Sequence, residues 1–286
     1  MHSDSDSGGI TALVASHNRR DLTLAAIELF ANSARNASTA ARIVLVDDGS
    51  SDGTGQAVSE SATVPVDIID GDGNWFWARS LATAERRALE SRADTGHLLW
   101  LNDDVRLDQD AVARLLTTAS AHPHSVVVGS VRDEESGAVT YGGLKRSGRH
   151  PLAFQLIAPL NSSTTQAATM NGNVVLVPVA LARDLGGVDG DFSHAFADID
   201  YGLRARNADA GPVVAAGTFG TCSRNPVHRS STRREAWRHF VSPKGGGDPS
   251  AIARILKVAS PRSWWFWWFA TYAAWWVRRW RPAESY

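Results

Sequence analysis

The stretch His97–Val105, HLLWLNDDV, constrains the chain more than any other. Leu98, Leu99, Trp100 and Leu101 run without a break into Asn102-Asp103-Asp104. A short unbroken apolar run predicts a strand buried on both faces, as in a parallel sheet. The three polar side chains then fall at the strand's carboxyl end, where open α/β sheets bind ligands. Adjacent carboxylates repel one another and lose hydration there unless a cation compensates them. Two readings fit. One is a hard divalent cation on oxygen ligands, its shell completed by a phosphate-bearing molecule. The other is a helix N-terminus, with both aspartates ahead of a helix over 107–120 that Asp108 is placed to cap.

The same pattern recurs along the chain. Apolar runs at 10–16, 42–46, 66–69 and 126–131 predict further buried strands. Between them lie helical patterns: one that Asp21 can cap, a short one from Thr54, and one over 78–91. Strand–helix alternation of this kind predicts an α/β fold built on a doubly wound, mostly parallel sheet. From Arg132 the pattern loosens. Residues 137–145 read as a hairpin, and 148–169 lack periodicity and read as an insertion or mobile loop. Regular structure resumes with a strand at 173–177, a helix opened by Pro178 and stopped by Gly186-Gly187, and a helix over 198–209. A strand at 213–216, a loop over 218–225, a basic helix at 229–238 and a Gly-rich linker at 244–249 follow.

Composition excludes several functions. The 29 basic against 30 acidic residues leave no electrostatic footprint for nucleic acid. A single cysteine, Cys222, rules out an internal disulfide and a zinc cluster. The polar start MHSDSDSGG has no signal-peptide core, so an intracellular protein is expected. The loop after the first strand, Ser16-His17-Asn18-Arg19, has no glycine for a dinucleotide pyrophosphate, and no GxxxxGK[ST] occurs. The nine histidines show no metal-ligand spacing. What remains is a sheet whose strand ends carry Asp47-Asp48 and Asp103-Asp104. Such ends bind a phosphate through a metal, or a nucleoside through its N–H and hydroxyl groups.

At this point a resemblance enters. VASHNRRDL at 14–22, VLVDDGSSDGT at 44–54, GDGNWFWARS at 71–80 and LWLNDDV at 99–105 occur in the order found in one family. MNGNVVLVP at 170–178, LGGVDGDFSHAFADIDYGLRAR at 185–206 and the loop at 221–226 continue it. The chain resembles the inverting nucleotide-sugar glycosyltransferases of family 2, with the GT-A fold, nearest to the galactofuranosyl- and rhamnosyl-transferring branches. The resemblance implies that Ala15, His17 and Asp48 line a nucleoside pocket, with Asp47 beside it and Arg79 near the phosphates. It implies a divalent metal, Mn²⁺ or Mg²⁺, held mainly by Asp104 with Asp103 assisting. Asp198 matches the general base, and Asp200 the acidic residue two places on. The departures are Asn102 for the first aspartate of the metal motif and Ala197 for an acidic residue before the base. Where some relatives place a metal-binding histidine this chain has Cys222, with His228 nearby. Trp75, Phe76 and Trp77 can stack on an acceptor sugar or pack on the following helix, and Asp200 and Tyr201 fall on the acceptor side.

Ordinary chemistry agrees with these roles. Transfer from a nucleotide diphosphate needs a cation on the departing diphosphate and a carboxylate within reach of the acceptor hydroxyl. Placed early in its helix, Asp198 is expected to stay ionised through the helix dipole and free N–H groups. Asp200, within the first turn, is favourable there on electrostatic grounds alone.

Seven of eleven tryptophans lie between Trp264 and Trp280. Ser260-Pro261 read as the start of a helix. Fourteen uncharged residues, 264–277, precede Arg278, Arg279 and Arg281. That is short of the ~20 needed to cross a bilayer, and suits a helix lying in the headgroup region. Packing on the catalytic domain or on a second copy, as a homodimer, is the alternative.

The expected organisation is a loose 1–9 and a GT-A domain over 10–230. Its nucleotide-binding half is 10–131 and its acceptor half 132–230. A basic helix and linker follow at 231–259, then a tryptophan-rich tail at 260–286. The expected function is transfer of a sugar to a cell-envelope glycan or lipid-linked acceptor at the cytoplasmic face of the membrane. Its rivals are a sugar-phosphate nucleotidyltransferase, which would want a basic Gly-rich first loop, and a non-catalytic nucleotide-sugar-binding scaffold.

Overall fold

The apolar run at 98–101 lies in the middle of a ten-stranded sheet. A computed structural model describes residues 8–91, 95–192, 195–224, 232–242 and 245–280. In chain order come β1 (Gly9–Ser16), α1 (Arg20–Asn36), β2 (Ala41–Asp47), α2 (Thr54–Ser61), β3 (Val66–Asp70) and α3 (Phe76–Glu90). They are followed by β4 (Thr95–Leu101), β5 (Arg106–Leu107), α4 (Ala111–Ala121), β6 (Val127–Arg132), β7 (Val139–Tyr141) and β8 (Gly143–Arg146). Next are β9 (Phe154–Leu156), β10 (Thr165–Gln166), β11 (Thr169–Met170), β12 (Val174–Pro178), α5 (Val179–Leu185) and α6 (Ala197–Asn207). The described chain ends with β13 (Val213–Thr221), α7 (Arg233–Phe240), α8 (Pro249–Ala259) and α9 (Trp264–Trp280).

The main sheet runs β10-β13-β6-β12-β4-β1-β2-β3. Strands β3, β2, β1 and β4 are mutually parallel, as the alternation predicts. Strand β12 enters between β4 and β6 antiparallel to both. Its Val174–Val177 run is buried on both faces, a pattern that carries no direction. Helices cover both sides. Leu98 and Trp100 join one core with α3, α5, α6 and α8, while Leu99 and Leu101 join the other with α1, α2 and α4. Period-two alternation of a strand buried on both faces feeds both cores at once.

Several local expectations shift. Leu107 is not helical but pairs in β5 with β13, so the helix starts at Ala111. Asp108 does not cap it; its carboxylate takes both arms of Arg132 at 2.9 Å. Asp21 lies inside α1, whose Arg20 N–H donates to Asp52 instead. The 137–145 hairpin divides. Strand β7 pairs with β6, and β8 leaves for a three-stranded sheet with β9 and β11. Segment 148–169, read as an unstructured insertion, supplies β9 and β10 and ends in β11. Strand β13 runs on through 218–221, which was expected to be loop. Past the linker, α8 carries a clear signal that the periodicity hid: Asp248 accepts from Ala251 N at 2.8 Å with Pro249 at the first position. Ser260 and Pro261 end α8 and turn the chain, and α9 starts at Trp264.

Helical spacing alone would put Trp264, Trp265, Trp268, Tyr272, Trp275 and Trp276 on one side, but α9 uses two faces. Trp268 and Tyr272 donate to Pro249 O and Gly247 O, both at 3.1 Å, and Trp275 packs against Trp237 and Phe240. Trp265, Phe266, Phe269, Trp276 and Val277 are exposed. Among the described residues, no helix is long and apolar enough to cross a membrane.

Candidate active site

A cleft of about 580 Å³ opens at the carboxyl ends of β1, β2 and β4. That is the size of a small-molecule site. It gathers Ala15, His17, Asp48, Trp77, Asn102, Asp103, Asp104 and Asp198 from five segments of the chain.

The two Asp-Asp pairs meet different fates. Asp47 turns away from the cleft and accepts from Ser50 N at 3.1 Å and Gly55 N at 2.8 Å, capping α2. Asp48 lines the cleft and accepts from Gly73 N, Trp75 N and Phe76 N at 2.9–3.0 Å. These bonds start α3, and they demand glycines. A Cβ on Gly71 would stand 2.5 Å from the Asp48 carboxylate, and Gly49 is left-handed (φ +69°) against Gly73. His17 Nδ1 meets the Asp48 carbonyl at 2.6 Å, and because that oxygen only accepts, Nδ1 carries the proton.

Asp103 and Asp104 share one guanidinium. Arg19 Nη1 lies 2.9 Å from Asp103 and 3.2 Å from Asp104. Burial pushes the Asp103 carboxyl above its usual range, with Arg19 opposing. Asp104 also accepts from the Cys222 thiol at 3.4 Å. Burial, reinforced by the Asp104 charge, pushes that thiol up to about 12, so Cys222 stands here as an S–H donor rather than a thiolate. Asn102 is committed too, its amide oxygen accepting from Trp77 Nε1 at 2.9 Å. His228 lies outside the described residues.

Trp77 links this end of the cleft to Asp198. Its ring packs so closely on Gly172 that a Cβ there would stand 2.5 Å away. Gly172 N in turn donates to Asp198 Oδ2 at 3.1 Å, and Ile199 N to Oδ1 at 2.8 Å. Burial outweighs these N–H groups and raises Asp198 to about 6. The helix dipole therefore does not hold it at an ordinary carboxylate value, contrary to expectation: desolvation is the larger effect. Phe76 and Phe196, both in the cleft wall, have left-handed backbones (φ +55° and +79°), so strain concentrates here.

Other expected residues lie elsewhere. Arg79 is exposed, its guanidinium 4.6 Å from the centre of the Trp75 ring, and neither lines the cleft. Tyr201 is fully buried against Trp100 and Glu85, out of reach of an acceptor. Asp200 is buried and bound to Arg204 at 2.7 Å, which also holds Leu185 O and Gly187 O; the group braces α6. Several cleft residues have no role marked in the sequence motifs, among them Arg19, Ser80, Gly172 and Phe196. Arg19 reads as a loop residue, although an arginine four places past the last apolar residue of β1 can reach the end of β4, its parallel neighbour in the sheet. Ser80, buried with its hydroxyl unpartnered in the cleft wall, left no signal.

Asp103 and Asp104 offer hard carboxylate oxygens on one turn, and a cation already bridges them, so this place fits Mn²⁺ or Mg²⁺ chemically. Among the described residues, no group of three or more His, Cys, Asp or Glu side chains is arranged as a complete metal cage.

Comparisons with known proteins agree with this architecture. TarS of S. aureus superposes with a TM-score of 0.59 at 12% identity, over 87% of this chain and 39% of that one. TarS 1-349 in complex with UDP-GlcNAc gives 0.59 at 12% identity, over 88% and 65%. The mannosyltransferase PcManGT of Pyrobaculum calidifontis, in complex with GDP-Man and Mn²⁺, gives 0.57 at 16% identity, over 88% and 64%. The chain thus spans well under half of full TarS, and at these identities the likeness is one of fold. No curated protein matches it by sequence. The model of one family, Glycosyl transferase family 2, matches residues 11–178, more than half of the chain, from within β1 to the end of β12. The chain belongs to glycosyl transferase family 2.

Proposed function

We propose that the protein is an inverting glycosyltransferase moving a sugar from a nucleotide diphosphate to a glycan or lipid-linked acceptor. One observation carries this reading. Asp198, a carboxylate raised to about 6 by burial, shares a cleft with the paired carboxylates Asp103 and Asp104. A base acts best when its pKa lies near the working pH.

Ala15, His17 and Asp48 hold the nucleoside. Asp48 keeps lone-pair capacity beyond its three backbone bonds to accept from a base or ribose. Asp104 and Asp103 hold a divalent metal, Mn²⁺ or Mg²⁺, which when bound neutralises charge on the departing diphosphate. Asp198 takes the acceptor hydroxyl proton as that oxygen attacks C1 from the face opposite the leaving group, which inverts the anomeric centre. Trp77 and Phe196 flank Asp198 and position the acceptor. Two structures of similar fold are complexes with UDP-GlcNAc and with GDP-Man and Mn²⁺, which supports a nucleotide-sugar donor and a metal. A furanosyl or deoxyhexosyl donor sugar belongs to the same proposal.

The exposed face of α9, whose last turn carries the exposed Arg278, suits the boundary of an anionic membrane, which supports an enzyme at the inner face of the cell membrane. Replacing Trp265 and Phe269 by serine should abolish pelleting with anionic vesicles while the melting temperature holds; unchanged pelleting refutes the membrane contact.

The deciding experiment is release of nucleotide diphosphate when an acceptor is added to protein, donor and Mn²⁺. Binding without release would identify a scaffold. Pyrophosphate from nucleoside triphosphate and sugar phosphate would identify a nucleotidyltransferase.

A further inference from the structure

Four carboxylates line the cleft, those of Asp48, Asp103, Asp104 and Asp198. Among the described residues that line it, the single permanently charged cation is Arg19. A diphosphate entering this space adds negative charge to an already negative wall. The one guanidinium present is occupied by Asp103 and Asp104.

Arg19 is built with a fixed base and a free head. Its carbonyl accepts from Thr23 N and Thr23 Oγ1, both at 2.9 Å. The preceding Asn18, left-handed at φ +52°, is tied to Ser50 and Ser51 at 2.8 Å. The side chain is 42% exposed and its hydrogen bonds go to the two aspartates through one nitrogen. The rest of the planar fork, which suits phosphate oxygens, is left over. Asp103 constrains the exchange from the other side. Its side chain is 8% exposed, and a carboxylate so buried does not give up a guanidinium without another cation in its place.

We propose that Arg19 is an exchangeable counter-ion. It holds Asp103 and Asp104 in the donor-free cleft, then yields them to a divalent cation and turns its fork to the donor's diphosphate. This rests on the metal and nucleotide-sugar reading above and adds a positioning role for a residue outside the metal motif. It makes metal and donor binding cooperative, because the guanidinium freed by the first is a ligand for the second.

Metal and nucleotide affinities test this without turnover. Mn²⁺ alone, titrated into nucleotide-free protein and followed by its electron-spin resonance signal, should bind Arg19→Gln at least about fivefold more tightly than wild type, the lower end of ordinary site coupling. UDP or GDP at saturating Mn²⁺ should bind the variant more weakly by a similar factor. Arg19→Lys, which keeps the charge but not the fork, should fall between, and carries the comparison if Arg19→Gln does not fold. A merely loosened cleft would weaken both ligands, so opposite signs are the signature. If wild type binds Mn²⁺ and nucleotide but the variant's Mn²⁺ affinity is unchanged or lower, the exchange is refuted and the donor reading stands. If neither protein takes up Mn²⁺ with or without nucleotide, both fall.

Discussion

The ends of β2 and β4 carry the same signature, an apolar run closing on Asp-Asp, and treat it in opposite ways. At β2 the charges are met by backbone: two N–H groups on Asp47 and three on Asp48. At β4 they are met by a side-chain cation, Arg19, and a thiol. Backbone donors come with the fold and cannot leave. A guanidinium on a flexible stem can. Paired aspartates at a strand end therefore do not by themselves mark a cation site; the supply of local N–H groups decides. Helices α2 and α3 turn their free N-termini onto Asp47 and Asp48, whereas the chain after Asp104 continues into β5 and reaches α4 seven residues later.

The sharpest extension of this contrast is Asp198, which has two backbone donors yet is too buried for them to hold its pKa down. Asp198→Asn should lose about 10²–10⁴-fold in single-turnover transfer with donor affinity kept. In wild type, kcat/KM should rise with pH through about 6 and level off above, as the base loses its proton. A variant with near-normal rates, or a flat wild-type profile, places the base elsewhere.

Next in size is stability at Asp48. Asp48→Ala strands three N–H donors and should cost on the order of 3 kcal/mol in denaturant unfolding. A loss as small as that of Asp103→Asn would mean that the backbone cradle is not what holds the loop at 71–76.

Glu85 probes a buried carboxylate with a single backbone donor, Val188 N at 2.6 Å, and the Tyr201 hydroxyl at 3.5 Å. Burial raises it to about 7. Because its folded pKa lies above the unfolded value of 4.5, the native state binds more protons between these limits. Stability should thus fall as pH rises from about 4.5 to about 7, by on the order of 3 kcal/mol, and stay flat above. Glu85→Gln should remove that slope, and an unchanged slope would assign it to another group.

The smallest effect belongs to the cation-held pair. Asp103→Asn leaves a half-exposed arginine with Asp104 and water, so it should cost less than about 1 kcal/mol. High salt should shrink the difference further, while the Asp48→Ala loss should not respond. A large, salt-insensitive loss at Asp103 would erase the distinction between the two strand ends.

Much of this protein is legible in one dimension. The four parallel strands β1 to β4, the helices between them and the glycine stop after α5 are written in local periodicity and turn chemistry, which need only neighbouring residues. Motif order likewise brought Asp48, Asp103, Asp104 and Asp198 to attention, and they share one cleft. Tertiary structure decided what no local pattern encodes. The antiparallel entry of β12 was open because a strand buried on both faces reads alike in either direction. Leu107 joined a strand because β13, more than a hundred residues away, offered it a partner. Tyr201 and Asp200 left the list of ligand contacts, and Arg19 joined the site, through contacts at sequence separations from 4 to 116. Charge compensation and desolvation depend on distance in space. Sequence names the charged groups, and only the fold determines which stand within 3 Å of each other and which lose their water.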